Sequence, residues 1–424
     1  MKVGICTLGC KVNTYESEYI ENLLKKNHYE INNFNDYNDV YIINTCSVTN
    51  TADQKSRKMI HRAIKLNKDA IIIVMGCFIE ANKDYNIEGV DIIIGNKDKS
   101  KIIDLIAEYQ KTKKQIVRLY DDFDACFEDM QVTTFGSRSR AFVKIQDGCE
   151  NFCSYCIIPY TRGKCRSKEK DKVIQEVKML VDHGYQEIVL TGIHTGHYGV
   201  DKHYTFSSLL KELEKIEGLK RLRISSIEIT ELDDEFLDTL KNSKVIVDHM
   251  HIPMQSGCDE ILKAMNRKYD TTYYKKKIKA IRKIRPNMAI TTDVIVGFPG
   301  ESEELFEKTY AFIEQLQLAK LHVFPYSMRK GTKATTLPQQ IAEPIKKQRC
   351  KKLIELSKEL ENRYMNRFLN CKQDVLIELS KEDYSLGHTS NFLHVKIKSR
   401  IPKDKMVQVK IIRNEYPYLI GEVI

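Results

Sequence analysis

Short apolar runs alternate with amphipathic stretches along most of this chain, and that alternation restricts the possible folds more than any other feature. In the first series, strand-like runs at 3–8, 40–44, 70–76 and 90–95 are separated by helix-like stretches at 16–26 and 53–66 and followed by another at 101–109. Such a series indicates a parallel sheet covered by helices. An acidic, weakly patterned connection at 121–131 closes it. A second, longer series starts at Arg140, with strands expected at 141–145, 187–191, 221–226, 249–254, 289–297 and 320–326 and helices at 171–183, 207–216, 233–240, 273–284 and 302–316. A six-fold β/α repeat suits a partial, open relative of the eight-fold barrel, with the loops after its strands on one ligand-binding face. Beyond a helix ending near 363 the period changes to two, at 374–379, 392–398, 406–412 and 418–423, which indicates a small all-β barrel. The expectation is therefore an α/β chain in three parts: a parallel-sheet domain at 1–115, a partial (β/α)6 barrel at 135–365 and a β-barrel at 366–424. A length of 424 residues agrees with several cores.

No apolar run approaches the roughly 18 residues that suggest a membrane span, and the N-terminus enters a strand without the regions of a secretory signal. A cytoplasmic location is expected. There the 12 cysteines would stay reduced, so close cysteine spacings read as metal or redox ligands rather than disulfides.

The tightest spacing is Gln146-Asp-Gly-Cys149-Glu-Asn-Phe-Cys153-Ser-Tyr-Cys156, directly after the first strand of the second series. Three thiolates hold three irons of a 4Fe-4S cubane and leave the fourth open to a small molecule. A closed zinc site is the alternative, but it normally has four ligands, and Cys165 lies beyond a turn containing proline. The motif resembles the signature of the radical S-adenosylmethionine (SAM) superfamily. The resemblance implies that the open iron chelates SAM and that reductive cleavage of SAM yields a radical that abstracts hydrogen, with Cys149, Cys153 and Cys156 as ligands.

Cys10, Cys46 and Cys77 each stand just after an expected parallel strand of the first series. Parallel strands end on a shared edge, so these loops converge although they are distant in sequence. Taken singly, each is also explained as a buried small hydrophobe. Recurrence at one place in three units favours a shared ligand role, a second cluster with a free iron. Gly9 and Gly76 would let the backbone approach it, and Asn13 and Asn44 would orient the loops. Thr7-Leu-Gly-Cys-Lys-Val-Asn13, Asn44-Thr-Cys-Ser-Val-Thr49 and Gly76-Cys77 resemble the N-terminal domain of the methylthiotransferases. The resemblance continues through Arg140 to Cys149, Ile158-Pro-Tyr-Thr-Arg-Gly163, Arg223-Ile-Ser-Ser-Ile-Glu228, His251-Ile-Pro-Met-Gln-Ser-Gly257 and Gly297-Phe-Pro-Gly-Glu301. Within the family the chain is most similar to the MtaB type, which modifies N6-threonylcarbamoyladenosine at tRNA position 37, beside the anticodon.

That resemblance implies two 4Fe-4S clusters and SAM as cofactors, sulfur delivery from the second cluster to C2 of adenine, and a methyl group from a second SAM. It also implies a tRNA anticodon loop and an electron donor such as flavodoxin or ferredoxin as partners. Thr191, Gly192, Ser225, Ser226 and Gln255 are expected to border SAM, with loop capping or a satisfied buried polar group an equal alternative for each. His194 and His197 read as ordinary loop histidines. Cys6, Cys126, Cys165, Cys258, Cys350 and Cys371 share no spacing and read as non-ligands.

Lys and Arg exceed Asp and Glu by 68 to 58, which favours a polyanionic partner. Basic stretches at 326–352 and 267–285 fit phosphate contacts or solvated helix faces. The last segment, with Lys396, Lys398, Arg400, Lys403, Lys405, Lys410 and Arg413, resembles a TRAM domain, and Phe392, Tyr416 and Tyr418 either stack on bases or pack in its core. The rival readings are a methylthiotransferase acting on isopentenyladenosine in tRNA or on a ribosomal-protein aspartate, and, in another class, a non-catalytic, metal-stabilised RNA-binding protein. Ile145-Gln-Asp-Gly148 and Phe324-Pro-Tyr-Ser327 favour the threonylcarbamoyl substrate.

Overall fold

The computed structural model describes residues 1–84, 88–119, 126–136 and 138–424. Its N-terminal part is a six-stranded parallel sheet in the order β2-β1-β3-β4-β5-β6, formed by β1 (Lys2–Thr7), β2 (Glu30–Asn32), β3 (Val40–Thr45), β4 (Ile71–Gly76), β5 (Ile92–Ile94) and β6 (Ile116–Arg118). The central β3 and β4 are buried at every residue, as a sheet covered on both faces requires. The short edge strands β2 and β6 carry no apolar alternation, which is why the sequence pattern does not announce them. Helix α1 (Lys11–Lys26) starts five residues before its apolar periodicity begins, because extended Cys10 serves as its N-cap. Helix α2 (Asn50–Leu66) is capped by Thr49, whose Oγ1 accepts from the Ala52 N–H at 3.1 Å. Helices α3 (Cys77–Ala81) and α4 (Ile102–Thr112) follow.

The second series forms two three-stranded parallel sheets that continue one another. Strands β7 (Ala141–Lys144), β10 (Glu187–Thr191) and β11 (Arg221–Ile224) make the first. Strands β12 (His249–His251), β13 (Ala289–Val296) and β14 (Lys320–Pro325) make the second, and a parallel bridge from Leu222 to Ile246 joins the two. All six expected strands are present, in an open barrel. A two-stranded ribbon of β8 (Gln146–Asp147) and β9 (Arg166–Ser167) brackets the Cys149 loop and helix α5 (Ile158–Arg162).

Of the connection expected at 121–131, residues 121–125 lie outside the described residues. The remainder is firmly held: Met130 O accepts from Tyr15 Oη and Lys168 Nζ, both at 2.6 Å, and the Val132 N–H donates to Glu176 at 2.9 Å. It thereby ties α1 to the open barrel.

The C-terminal segment is a closed barrel of β15 (Lys372–Ser380), β16 (Ser385–Thr389), β17 (His394–Ile397), β19 (Tyr418–Val423) and β18 (Met406–Glu415). Strand β16 is absent from the sequence reading, since Ser-Leu-Gly-His-Thr has no alternating apolar pattern. This barrel packs beneath the N-terminal ends of the open barrel's strands. Buried Glu187 takes Arg223 Nε at 2.7 Å and His388 Nε2 at 3.0 Å, while Arg221 Nη2 donates to Asp374 O at 2.6 Å. At the rim Glu378 pairs with Arg140 at 3.0 Å and His388 at 3.3 Å. Burial pushes the Glu378 carboxyl up, but His388 and then Arg140 outweigh it and hold the group at about 2, against an ordinary 4.5. The lowered value means this contact contributes fully above about pH 4.5 and is lost as pH falls toward 2. Glu378→Gln is expected to remove that part of the acid transition, which an acid titration of tertiary fluorescence against the wild-type protein would read. Among the described residues, no helix is long and apolar enough to cross a membrane.

Candidate active site between two cysteine triads

Cys10, Cys46 and Cys77 follow β1, β3 and β4, and the convergence expected of parallel strand ends is observed. Gly9, at φ +101°, lies so close to Cys46 that an added Cβ would meet its Cβ at 2.8 Å and its Sγ at 2.9 Å. Gly76, at φ +99°, leaves equally little room against Asn44 and Thr45, both at 2.8 Å. The two asparagines brace the loops: Asn13 Nδ2 donates to Leu8 O at 2.7 Å and Thr45 O at 2.9 Å, and Asn44 Nδ2 donates to Asn13 O at 3.0 Å. Cys10 caps α1 and Cys77 opens α3, so two of the three sulfurs lie at helix N-termini, where negative charge is favoured. Burial pushes the Cys46 thiol up to about 12, and Cys77 and Cys10 push it in the same direction. Asn96 Nδ2 donates to Cys77 Sγ at 3.5 Å and to Thr161 O at 2.8 Å. Three soft donors, N–H groups aimed at sulfur and a glycine-lined approach fit an iron–sulfur cluster.

The second triad is carried by the loop after β8. Gly148, at φ +76°, is required there, because a Cβ would fall 1.9 Å from Lys164 O. The Cys149 N–H donates to Gly163 O at 3.0 Å, and the Cys156 N–H to Cys153 O at 2.9 Å. Burial, followed by the Cys153 sulfur, pushes Cys156 up to about 12. Arg267 Nη1 donates to Cys153 Sγ at 3.2 Å while its other nitrogen pairs with Glu228. This arginine therefore belongs to the sulfur loop, not to the phosphate-tracking stretch in which the sequence reading grouped it. Arg282 and Arg285 from that stretch likewise bind carbonyls, Leu316 O at 2.7 Å and Leu240 O at 2.9 Å. In the 326–352 stretch, Arg329 is buried against Asp53 at 2.5 Å and Arg349 against Glu301 at 2.8 Å.

Between the triads lies a buried ionic network. Arg162, with no exposed surface, donates Nη2 to Asn13 Oδ1 at 2.8 Å and Nη1 to Glu16 and Asp147, each at 3.1 Å. Lys144 joins the same carboxylates, Glu16 at 2.9 Å and Asp147 at 2.6 Å, and Lys99 also pairs with Glu16. Burial works against ionisation of Asp147, but Lys144 and Arg162 hold its carboxyl well below the usual range. No pattern in the sequence marks this network, whereas Asn96 follows β5 just as the cysteines follow β1, β3 and β4, a placement that strand order alone reveals.

Two cavities lie beside the triads. One, of about 220 Å³, is walled by Cys156, Gln255, Tyr326 and, from the N-terminal part, Val48 and Thr49 just after Cys46. The other, of about 440 Å³, fills the open barrel and includes Lys11, Arg223, His249, Ser226 and, from the C-terminal barrel, Phe392. Asp293 lies in the wall of both. Of the residues expected near SAM, Gln255 and Ser226 line these cavities. Thr191, Gly192 and Ser225 end the neighbouring strands but line neither. Gly192 packs on Gln146, whose Oε1 accepts from the His194 N–H at 2.7 Å and whose Nε2 donates to Gly148 O at 2.8 Å. Ser225 is buried, with no partner for its hydroxyl among the described residues.

His194 is more than a loop histidine. It stacks on His197 with ring centroids 3.7 Å apart, lies 3.8 Å from Cys149 Sγ and pairs with Glu231. Burial pulls its pKa down, but Cys149, Cys165 and Glu231 together push it up to about 12. Cys165 joins this group, with donor atoms of Cys165, His194 and His197 within 4.8 Å of one another. Of its two expected settings, Phe392 does not take the core one, since it lines the cavity in the open barrel.

Residues 143–313 match the radical SAM superfamily, and residues 2–95 match the uncharacterized protein family UPF0004. Over its full length the chain is 44% identical to threonylcarbamoyladenosine tRNA methylthiotransferase MtaB of Bacillus subtilis, and it covers 96% of that protein. Over 98% of its length it is 36% identical to tRNA-2-methylthio-N(6)-dimethylallyladenosine synthase of Natranaerobius thermophilus, covering 95% of the relative. The solved structure of the radical S-adenosylmethionine methyltransferase TsrM from Kitasatospora setae superposes with a TM-score of 0.60 over 79% of this chain and 76% of that one, at 13% identity, a likeness of fold.

Proposed function

The chain belongs to the methylthiotransferase family of radical SAM enzymes, and on that footing we propose that it adds a methylthio group to C2 of N6-threonylcarbamoyladenosine at tRNA position 37. The radical SAM fold brings with it SAM and a 4Fe-4S cluster. We assign that cluster to Cys149, Cys153 and Cys156 and a second, sulfur-donating cluster to Cys10, Cys46 and Cys77. The observation that carries this reading is the pair of cavities sharing Asp293, one walled by Cys156 and the other by Lys11, the neighbour of Cys10. An adenine held there would meet both triads.

When bound, the first cluster supplies the electron that cleaves SAM and the second supplies sulfur. The protein's part is placement. Gln146 and Arg267 fix the Cys149 loop, Asn13 and Asn44 fix the other, and the Arg162 network locks the two loops to each other while excluding water. We read 1–115 as the sulfur-donating domain, 135–365 as the SAM-cleaving core and 366–424 as the RNA module, where Lys398, Arg400, Lys405, Lys410 and Arg413 are exposed for phosphate contact. A reduced flavodoxin or ferredoxin is the fitting electron source. Mass spectrometry of tRNA nucleosides from cells lacking the protein is expected to show loss of 2-methylthio-N6-threonylcarbamoyladenosine and accumulation of its unthiolated precursor. Loss of the dimethylallyl product instead, or an unchanged profile, would overturn the assignment.

A further inference from the structure

The 440 Å³ cavity has cationic donors in its wall that no described residue uses. Its acidic groups already have neighbours: Asp293 lies 3.3 Å from His251 Nε2 and from His322 Nδ1, and Glu361 takes Lys320 Nζ at 2.8 Å. Arg140 is matched by Glu378. Two cationic side chains keep donors to spare. The exposed side chain of Lys11 makes no hydrogen bond or ion pair with any described residue. Arg223 spends Nε on Glu187 and Nη2 on Ser390 O at 3.2 Å, but its buried Nη1 has no acceptor, and Nδ1 of His249 in the same wall has no partner among the described residues. A guanidinium N–H shut away from water without an acceptor is costly, and such a group is retained where a ligand completes it.

The same wall carries a flat apolar surface. The Phe392 ring lies 4.9 Å from the Arg140 guanidinium carbon and 4.7 Å from that of Arg223. A ligand suited to this cavity is therefore neutral and planar in part and anionic at one end. A purine whose N6 substituent ends in a carboxylate meets that description, and one bearing a neutral hydrocarbon does not.

We propose that this cavity receives the N6 substituent of the target adenine, and that Lys11 and Arg223 bind the carboxylate at its end. The inference rests on the threonylcarbamoyl reading above and gives it a physical cause. A charge-assisted pair forms with the threonylcarbamoyl carboxylate, whereas a dimethylallyl group would leave the buried Nη1 of Arg223 without an acceptor and gain nothing from Lys11. Three parts of the chain build the pocket: Lys11 from the N-terminal part, Arg223 from β11, and Phe392 from the C-terminal barrel that closes it from below.

The test uses the full chain, reconstituted anaerobically, and synthetic anticodon stem-loops that differ only in the N6 group of the target adenosine: threonylcarbamoyl, its carboxamide, and dimethylallyl. Binding is read by competition anisotropy, independently of turnover. The wild-type protein is expected to bind the carboxylate loop on the order of tenfold or more tightly than either of the others. Lys11→Gln and Arg223→Lys are each expected to bring the carboxylate loop down toward the carboxamide loop, with iron and sulfide contents checked to show that the Cys10 loop is intact. Equal binding of carboxylate and carboxamide by the wild-type protein, a comparison that needs no variant, overturns the proposal. So does a parallel loss for both loops in the variants. Product analysis separates the two levels: thiolation of the threonylcarbamoyl loop without a carboxylate preference defeats the pocket alone, while thiolation of only the dimethylallyl loop defeats the substrate reading and the pocket with it.

Discussion

Alanine at Cys149, Cys153 or Cys156 is expected to abolish formation of 5′-deoxyadenosine, whereas alanine at Cys10, Cys46 or Cys77 should spare it and abolish the methylthio product. The asymmetry follows from which wall each triad occupies. The first group lies on one loop held by Gln146 and Arg267, neither of which bonds a residue of the second group. Loss of one ligand from that loop removes the cluster that cleaves SAM. The second group sits across the cavities at three strand ends, so losing one of its sulfurs leaves the SAM side assembled. Anaerobic assays that quantify both products in the same reaction would read the split. Equal loss of both activities in the Cys10, Cys46 and Cys77 variants would count against separate roles.

Arg162→Met is expected to be the most destabilising single change outside the cysteines. Removing this guanidinium leaves Glu16 and Asp147 short of a partner at sites with almost no solvent, and strips Asn13 Oδ1 of its donor. Breaking a buried ion pair from one side typically costs about 3–5 kcal/mol, a large share of the roughly 5–15 kcal/mol that holds a protein folded. Urea titration would measure the loss. Adding Asp147→Asn to the same chain should return part of it, because the second change removes a charge that the first left unpaired. A strictly additive double variant would contradict the network described above.

The sequence made the strand-end placement of six cysteines legible, because parallel topology follows from β–α alternation and the motif spacing needs no tertiary information. The glycine and asparagine roles at Gly9, Gly76, Asn13 and Asn44 were legible for the same reason, being local to those loops. What joins the triads was not. Arg162 and Asn13 are 149 positions apart, and charged residues in a basic chain give no sign of which will be buried. Arg267 and Arg329 read on composition as phosphate contacts or solvated cations, yet both are pinned inside by carboxylates, since only packing decides whether a cation faces water. Phe392, which the sequence assigns either to base stacking or to the C-terminal barrel's core, lines the open barrel's cavity beside two arginines because that barrel docks against the strand starts of the open barrel, a relation between units that no periodicity records. The missed strand β16 is polar and contains glycine, and its place is fixed by pairing with β15 and β17 rather than by its own propensity.

The central claim, that each triad holds its own open-cornered cluster, is tested most directly by counting. Anaerobically reconstituted protein should contain about eight iron and eight inorganic sulfide per chain, falling to about four of each when Cys10, Cys46 and Cys77 are all replaced, with SAM cleavage retained. A wild-type content of about four iron, or zinc in their place, would contradict it.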